Sequence, residues 1–132
     1  MSIAAYKRTI TETESPRQIE RRVLARVTAD LERLGPDFDA AERGLDKLTA
    51  LSNGLRDALW QNQRVWMAFR TDLAQPGNQL PPELRAAMIS LSVWVDTHTR
   101  GVLQGKNKVR PLVEINKTII RGLDRNTLQV ME

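Results

Sequence analysis

Apolar residues along this chain recur every three or four positions, and no segment alternates apolar and polar with the period of a strand. The pattern predicts an all-α protein, a bundle of about four helices. The first helix has a marked start: Ser15 precedes Pro16, which suits the first helical position, and Gln18 completes a Ser-x-x-Gln capping box. Ile19, Val23, Val27, Leu31 and Leu34 then form an amphipathic stripe, and Gly35-Pro36 is read as a glycine C-cap followed by a helix stop.

The second stretch runs from Asp39 to Ala74. Leu45, Leu48, Ser52, Leu55, Leu59, Asn62, Trp66, Phe69 and Leu73 alternate spacings of three and four, the heptad seam of a helix lying along a partner. One unbroken rod of that length would measure roughly 50 Å. A compact domain of this size has a radius of gyration of about 14 Å. The molecule is therefore elongated or the rod bends, and Gly44 and Gly54 are the candidate weak points.

Gln75-Pro76-Gly77-Asn78 is a loop, and Pro81-Pro82 opens a third helix with its seam at Leu84, Met88, Leu91, Val95, His98 and Val102. Ile89, Val93 and Trp94 add apolar groups on other faces, the mark of a helix that is central or covered by a partner. Gly101 and Gly105 close it. A fourth helix begins near Pro111 and carries Leu112, Val113, Ile115, Asn116, Ile119, Ile120 and Leu123. The expected organisation is an N-terminal arm over residues 1–14, a helical bundle over 15–123 and a flexible tail over 124–132.

Composition narrows the class. The 132 residues are 41% apolar and 27% charged, as in a globular domain with one core. Cysteine is absent, which excludes disulfides and thiolate metal sites and suits a reducing compartment. No apolar run is long enough to span a bilayer, and residues 1–8 lack the apolar core of a secretory signal, so a cytoplasmic location without membrane contact is expected. The net charge of +4 is uneven: +2 over residues 1–35, −2 over 36–99 and +4 over 100–132. The basic end holds no aromatic residue to stack on bases, which disfavours direct RNA binding.

Catalysis has no visible apparatus. His98 is the sole histidine, far short of a zinc ligand set, and is read as hydrogen-bonded on a helix seam. Asp96, two residues away, points to a different side of the helix. No phosphate-cradling loop, nucleophile elbow or carboxylate cluster is present, so no enzyme activity, metal or cofactor is expected.

The anomalies lie elsewhere. Asn62 and Asn116 occupy seam positions where leucine is expected. A buried amide pair that fixes helix register is one reading, and contact with a partner's backbone is the other. Trp60 and Met67, one heptad apart, fall off the Leu59–Trp66 seam. Either the arm covers them, through Tyr6 and Ile10, or they form a groove for an amphipathic partner helix. The same two readings apply to Ile89, Val93 and Trp94. Arg100, Lys106, Lys108 and Arg110 flank a helix–helix turn that is either merely solvated or recognises an acidic partner or RNA phosphate.

With these residues in view, the chain resembles the FlaF family of flagellar biosynthesis regulators over nearly its whole length. The matching elements begin with Ala5-Tyr6 and Ser15-Pro16-Arg17 with Glu20 and Leu24, then Ala58-Leu59 and Asn62-Gln63-Arg64-Val65-Trp66. Asn78, Leu80-Pro81, Glu83-Leu84-Arg85, Ser90-Leu91, Val95-Asp96 and Thr99 follow, and the last are Leu112, Ile115-Asn116, Ile119-Ile120 and Gly122-Leu123. Their order and spacing carry the match; no one motif is specific alone. The stretch around Gly44 and Gly54 resembles the family weakly, and the segment after Leu123 matches nothing in it. The resemblance implies a cytoplasmic helical protein required for flagellin synthesis and secretion, engaging flagellin beside a companion regulator of flagellin translation. It implies no catalytic residue.

Overall fold

The computed structural model describes residues 16–131, and among these every regular element is helical. The elements are α1 (Pro16–Ala40), a short α2 (Gly44–Ala50), a π-helical turn (Leu51–Leu55), α3 (Arg56–Leu73), α4 (Pro82–Leu103) and α5 (Arg110–Met131). The all-α bundle is thus four long helices plus the short α2. The Ser15 cap and the arm over residues 1–14 lie outside the described residues. The backbone of α5 is helical to Met131, through the segment from 124 where the sequence suggested a tail.

Helix α1 does not stop at Gly35-Pro36; it continues to Ala40 with Pro36 inside it. A glycine C-cap needs a positive φ, and among the described residues only Gly54 and Gly105 have one. Gly35 answers a packing demand instead. A Cβ there would stand 3.0 Å from Cγ1 of Val109, itself fully buried at the entrance to α5. The extra turn places Phe38 in the core and Asp39 against the next helix. The buried seam of α1 is accordingly Leu24, Val27, Leu31, Gly35 and Phe38, and Val23 of the expected stripe is exposed.

Polar contacts set the two outer helices antiparallel. The Asp39 carboxylate accepts hydrogen bonds from the backbone N–H groups of Val109 (2.7 Å) and Arg110 (3.0 Å), so a side chain of α1 caps the start of α5. Further along, Glu32 of α1 pairs with Lys117 of α5. The end of α1 is capped in turn by Lys47, whose Nζ donates to the Phe38 carbonyl (3.0 Å) and lies 4.4 Å above the Phe38 ring.

The long second stretch is broken. Asn53 (φ −85°, ψ 24°) and Gly54 (φ 109°, ψ −14°) leave helical geometry, and the Arg56 amide reaches back to the Leu51 carbonyl across a widened turn. The wide turn accommodates one extra residue, which rotates everything upstream by about 100° relative to a continuous helix. Downstream, Leu55, Leu59, Asn62, Trp66, Phe69 and Leu73 are buried as the seam requires. Upstream, Leu51 and Lys47 turn inward where Ser52 and Leu48 were expected, and Leu45 and Leu48 face solvent, 74% and 55% exposed.

Helix α4 packs on α3, and its innermost residues are Ser92, Val95, Thr99 and Val102. Leu84, expected on the seam, is exposed, and Met88, Leu91 and His98 are half-buried. The small hydroxyl residues allow a close approach and satisfy themselves locally: Thr99 donates to the Val95 carbonyl (2.7 Å) and Ser92 to that of Ile89 (2.7 Å). The helix ends in a Schellman motif, with Gly105 at φ 76°, its N–H bonded to the Val102 carbonyl and that of Lys106 to the Gly101 carbonyl.

At the centre lies a buried polar relay. The Trp66 indole N–H donates to Oδ1 of Asn116 (2.9 Å), and Nδ2 of Asn116 donates to Oδ1 of Asn62 (2.8 Å). All three side chains have no exposed surface. Around them stand Leu59, Phe69, Val95, Leu112 and Val113, with Phe69 edge-on to Trp66 at 5.6 Å. Nδ2 of Asn62 is buried without a partner among the described residues.

Two outcomes test this arrangement. Asn116→Leu orphans both the Trp66 N–H and the Asn62 carbonyl and should cost about 2–5 kcal/mol in urea unfolding, whereas Asn62→Leu orphans one donor, removes another, and should cost about 0–2 kcal/mol. Gly35→Leu should destabilise by about 2 kcal/mol despite leucine's better helix propensity, and Val109→Ala in the same protein should recover part of the loss.

Candidate partner-binding surface

Trp60 and Met67 project from α3 opposite its buried seam and are 53% and 56% exposed. They sit on a helix whose other face is locked into the core, so their positions are preorganised. The Arg64 guanidinium lies 4.8 Å over the Trp60 ring, between the two residues along the helix. Trp60 also edges an open groove of about 470 Å³ at the break, lined with Leu51, Ser52, Gly54, Arg56 and Asp57. Ser52 donates to the Leu48 carbonyl (3.0 Å), which places exposed Leu48 one turn from the groove and Leu45 just beyond it. Exposed apolar side chains thus stand on both α2 and α3, on either side of the break.

Ile89, Val93 and Trp94 do not form one face. Ile89 is half-buried and Val93, one turn on, is exposed. Trp94 lies about 100° further round the helix and stacks on His98, with ring centroids 4.7 Å apart and an interplanar angle of 23°. His98 in turn donates from Nε2 to the Lys108 carbonyl (2.7 Å), so Trp94 and His98 belong to the α4–α5 turn. Among the described residues no three histidine or acidic groups gather to hold a metal ion.

The α3 and α4 sets are joined by a cluster that sequence reasoning missed. Arg70, three residues beyond Met67, donates from Nε to the Ser92 hydroxyl (2.8 Å), and from Nη2 to the Ser92 carbonyl (3.0 Å) and the Asp96 carboxylate (2.6 Å). Asp96 therefore serves Arg70 and not His98. This half-buried cluster holds α4 against α3 beside Val93. No spacing rule connects residues 70, 92 and 96 before the helix pair is known.

Arg100, Lys106, Lys108 and Arg110 are all exposed at the α4–α5 turn. Arg110 pairs with Glu114 (3.1 Å), and the amides at the start of α5, the natural seat for a phosphate, are taken by Asp39. Asn107 folds back to donate to the His98 carbonyl (3.2 Å), against Gly101, where any side chain would collide with it. Asn62 and Asn116 face each other inside the core, out of reach of any partner.

Periodicity also misplaces Leu45 and Leu48 as core seam. The Asn53-Gly54 pair was the available signal, since glycine at a positive φ is the usual way a helix loses phase. Among the described residues no helix is long and apolar enough to cross a membrane.

Neither the curated proteins nor the solved structures include a match to this sequence. The family model described as flagellar protein FlaF matches residues 2–123, nearly the whole sequence. The chain belongs to the FlaF family of flagellar proteins.

Proposed function

We propose that this flagellar protein binds flagellin in the cytoplasm before export and so regulates flagellin synthesis and secretion, as an adaptor of chaperone type and not as an enzyme. The supporting observation is the exposed pair Trp60 and Met67 on α3, with Trp60 at the edge of the groove at the break and Leu48 and Leu45 exposed beyond it. Each of the pair is about half exposed, so leaving that half in water forgoes about 0.8–1.5 kcal/mol, which a partner helix recovers on docking. Methionine and tryptophan suit this task, because one adapts its shape and the other supplies a large rigid contact. Unassembled export substrates with amphipathic terminal segments are the natural occupants, since pairing keeps their apolar stripe from self-association. A companion regulator of flagellin translation would connect binding of the product to control of its synthesis.

Val93 and Ile89 extend the contact onto α4, held in place by Arg70 and Asp96. Trp94 serves the α4–α5 turn and is assigned no more than an edge of the contact. The α4–α5 turn is the seat of the competing reading, binding to flagellin messenger RNA, which the Asp39 cap disfavours.

In a pull-down, Trp60→Gln with Met67→Gln should weaken flagellin capture by roughly tenfold or more, as loss of two buried anchors implies. Circular dichroism should be unchanged, because both side chains lie outside the core. Capture by the parent protein should also persist between about 50 and 200 mM salt, where phosphate-directed binding falls steeply. Unchanged capture by the double variant, or its loss on Lys106→Glu with Lys108→Glu, would refute the assignment.

A further inference from the structure

Residues 53 and 54 are the one Asn-Gly pair in the sequence. In such a pair the backbone nitrogen of the glycine can attack the amide carbon of the asparagine side group. Two things ordinarily hold this chemistry back inside helices: a Cβ on the following residue crowds the approach, and the regular ladder fixes the backbone nitrogen. The first is absent here, and the second is irregular. Gly54 has no Cβ, and both residues stand outside helical geometry, Asn53 at φ −85°, ψ 24° and Gly54 at φ 109°, ψ −14°. Both are exposed to water, and among the described residues no hydrogen bond holds the Asn53 side chain.

Asn62, Asn78, Asn107 and Asn116 are protected. Asn62 and Asn116 are fully buried and bonded to each other within regular helices. The Asn78 side chain accepts from the Leu80 N–H (3.1 Å) and that of Asn107 donates to the His98 carbonyl, and each is followed by a long side chain, Gln79 or Lys108.

We propose that Asn53 is a site of spontaneous, position-specific conversion to aspartate and isoaspartate. The Gly54 nitrogen loses its proton to solvent and bonds to Cγ of Asn53. The bond from Cγ to Nδ2 breaks, the nitrogen takes up a proton from solvent and leaves as ammonia, and a five-membered succinimide remains. Water then adds to either ring carbonyl. Opening at one side restores the normal backbone with an aspartate, and opening at the other routes the backbone through the former side group as isoaspartate. No oxidation or reduction is involved, and water is the sole co-reactant.

Either product puts a carboxylate between Ser52 and Gly54, two residues that line the groove beside Trp60. The isoaspartyl form also adds a methylene to the backbone at the turn that sets the phase of α2 against α3. The inference rests on local backbone geometry and stands whether or not the groove receives flagellin.

The test is incubation of the intact folded protein in mildly alkaline buffer, followed by peptide mapping with mass spectrometry and enzymatic isoaspartate labelling. Amide loss should concentrate at Asn53, on the order of tenfold faster than at Asn78 or Asn107, given the freedom of the glycine step. Asn53→Gln should abolish the isoaspartate signal, because its ring would be six-membered and closes far more slowly. If the folded protein keeps Asn53 intact under conditions where the urea-unfolded protein converts there, the turn protects the amide and the proposal fails. Equal conversion at Asn78 and Asn107 would also overturn it.

Discussion

The indole N–H of Trp66 is buried completely, and Asn116 is what keeps it from being a liability. An unpaired donor at that depth would cost about 1–3 kcal/mol. By accepting from Trp66 and donating to Asn62, the one amide joins α5 to two positions of α3 four residues apart. A slip of α5 along its axis would break both bonds at once, whereas leucine at the same place would tolerate it. The rest of the bundle inherits its register from this contact. Asp39 meets the start of α5, and Gly35 takes Val109 at close range, when α5 sits at that height.

A second constraint decides what the molecule shows to its surroundings. With the downstream seam of α3 committed to the core by Trp66, Asn62 and their apolar neighbours, the extra residue at Asn53-Gly54 is absorbed upstream. It turns Leu45 and Leu48 outward, brings Lys47 over Phe38, and opens a groove beside Trp60. Core stability and exposed apolar surface are therefore linked through one turn. A continuous helix would have buried those leucines and left a more polar exterior.

This division suits a protein that binds other macromolecules. Polar contacts that hold the bundle together face inward or across helix pairs: the amide relay, the Arg70–Ser92–Asp96 cluster, and the Asp39 cap. Exposed Leu45 and Leu48 on α2 and Trp60 and Met67 on α3 stand on either side of the break, and Val93 lies across the Arg70 cluster on α4. Membership of the FlaF family places this surface in a flagellar setting.

Helical class, element count and the downstream seam of α3 were legible from periodicity, because a buried stripe on an unbroken helix must repeat every three or four residues. The pairing of Asn62 with Asn116 was among the readings that pattern allowed, and Trp60 and Met67 stood out as apolar residues off the seam. What periodicity cannot carry is phase across an interruption. One glycine with positive φ shifted the register upstream of Gly54, and one close helix contact at Gly35 carried α1 through a Gly-Pro pair that reads as a stop. The Arg70 cluster, the Asp39 cap and the split of Trp94 from Val93 also depend on which helix lies beside which. Local sequence determined the helices and their apolar stripes; tertiary packing decided which stripe was buried, since only there do distant side chains compete for the same space.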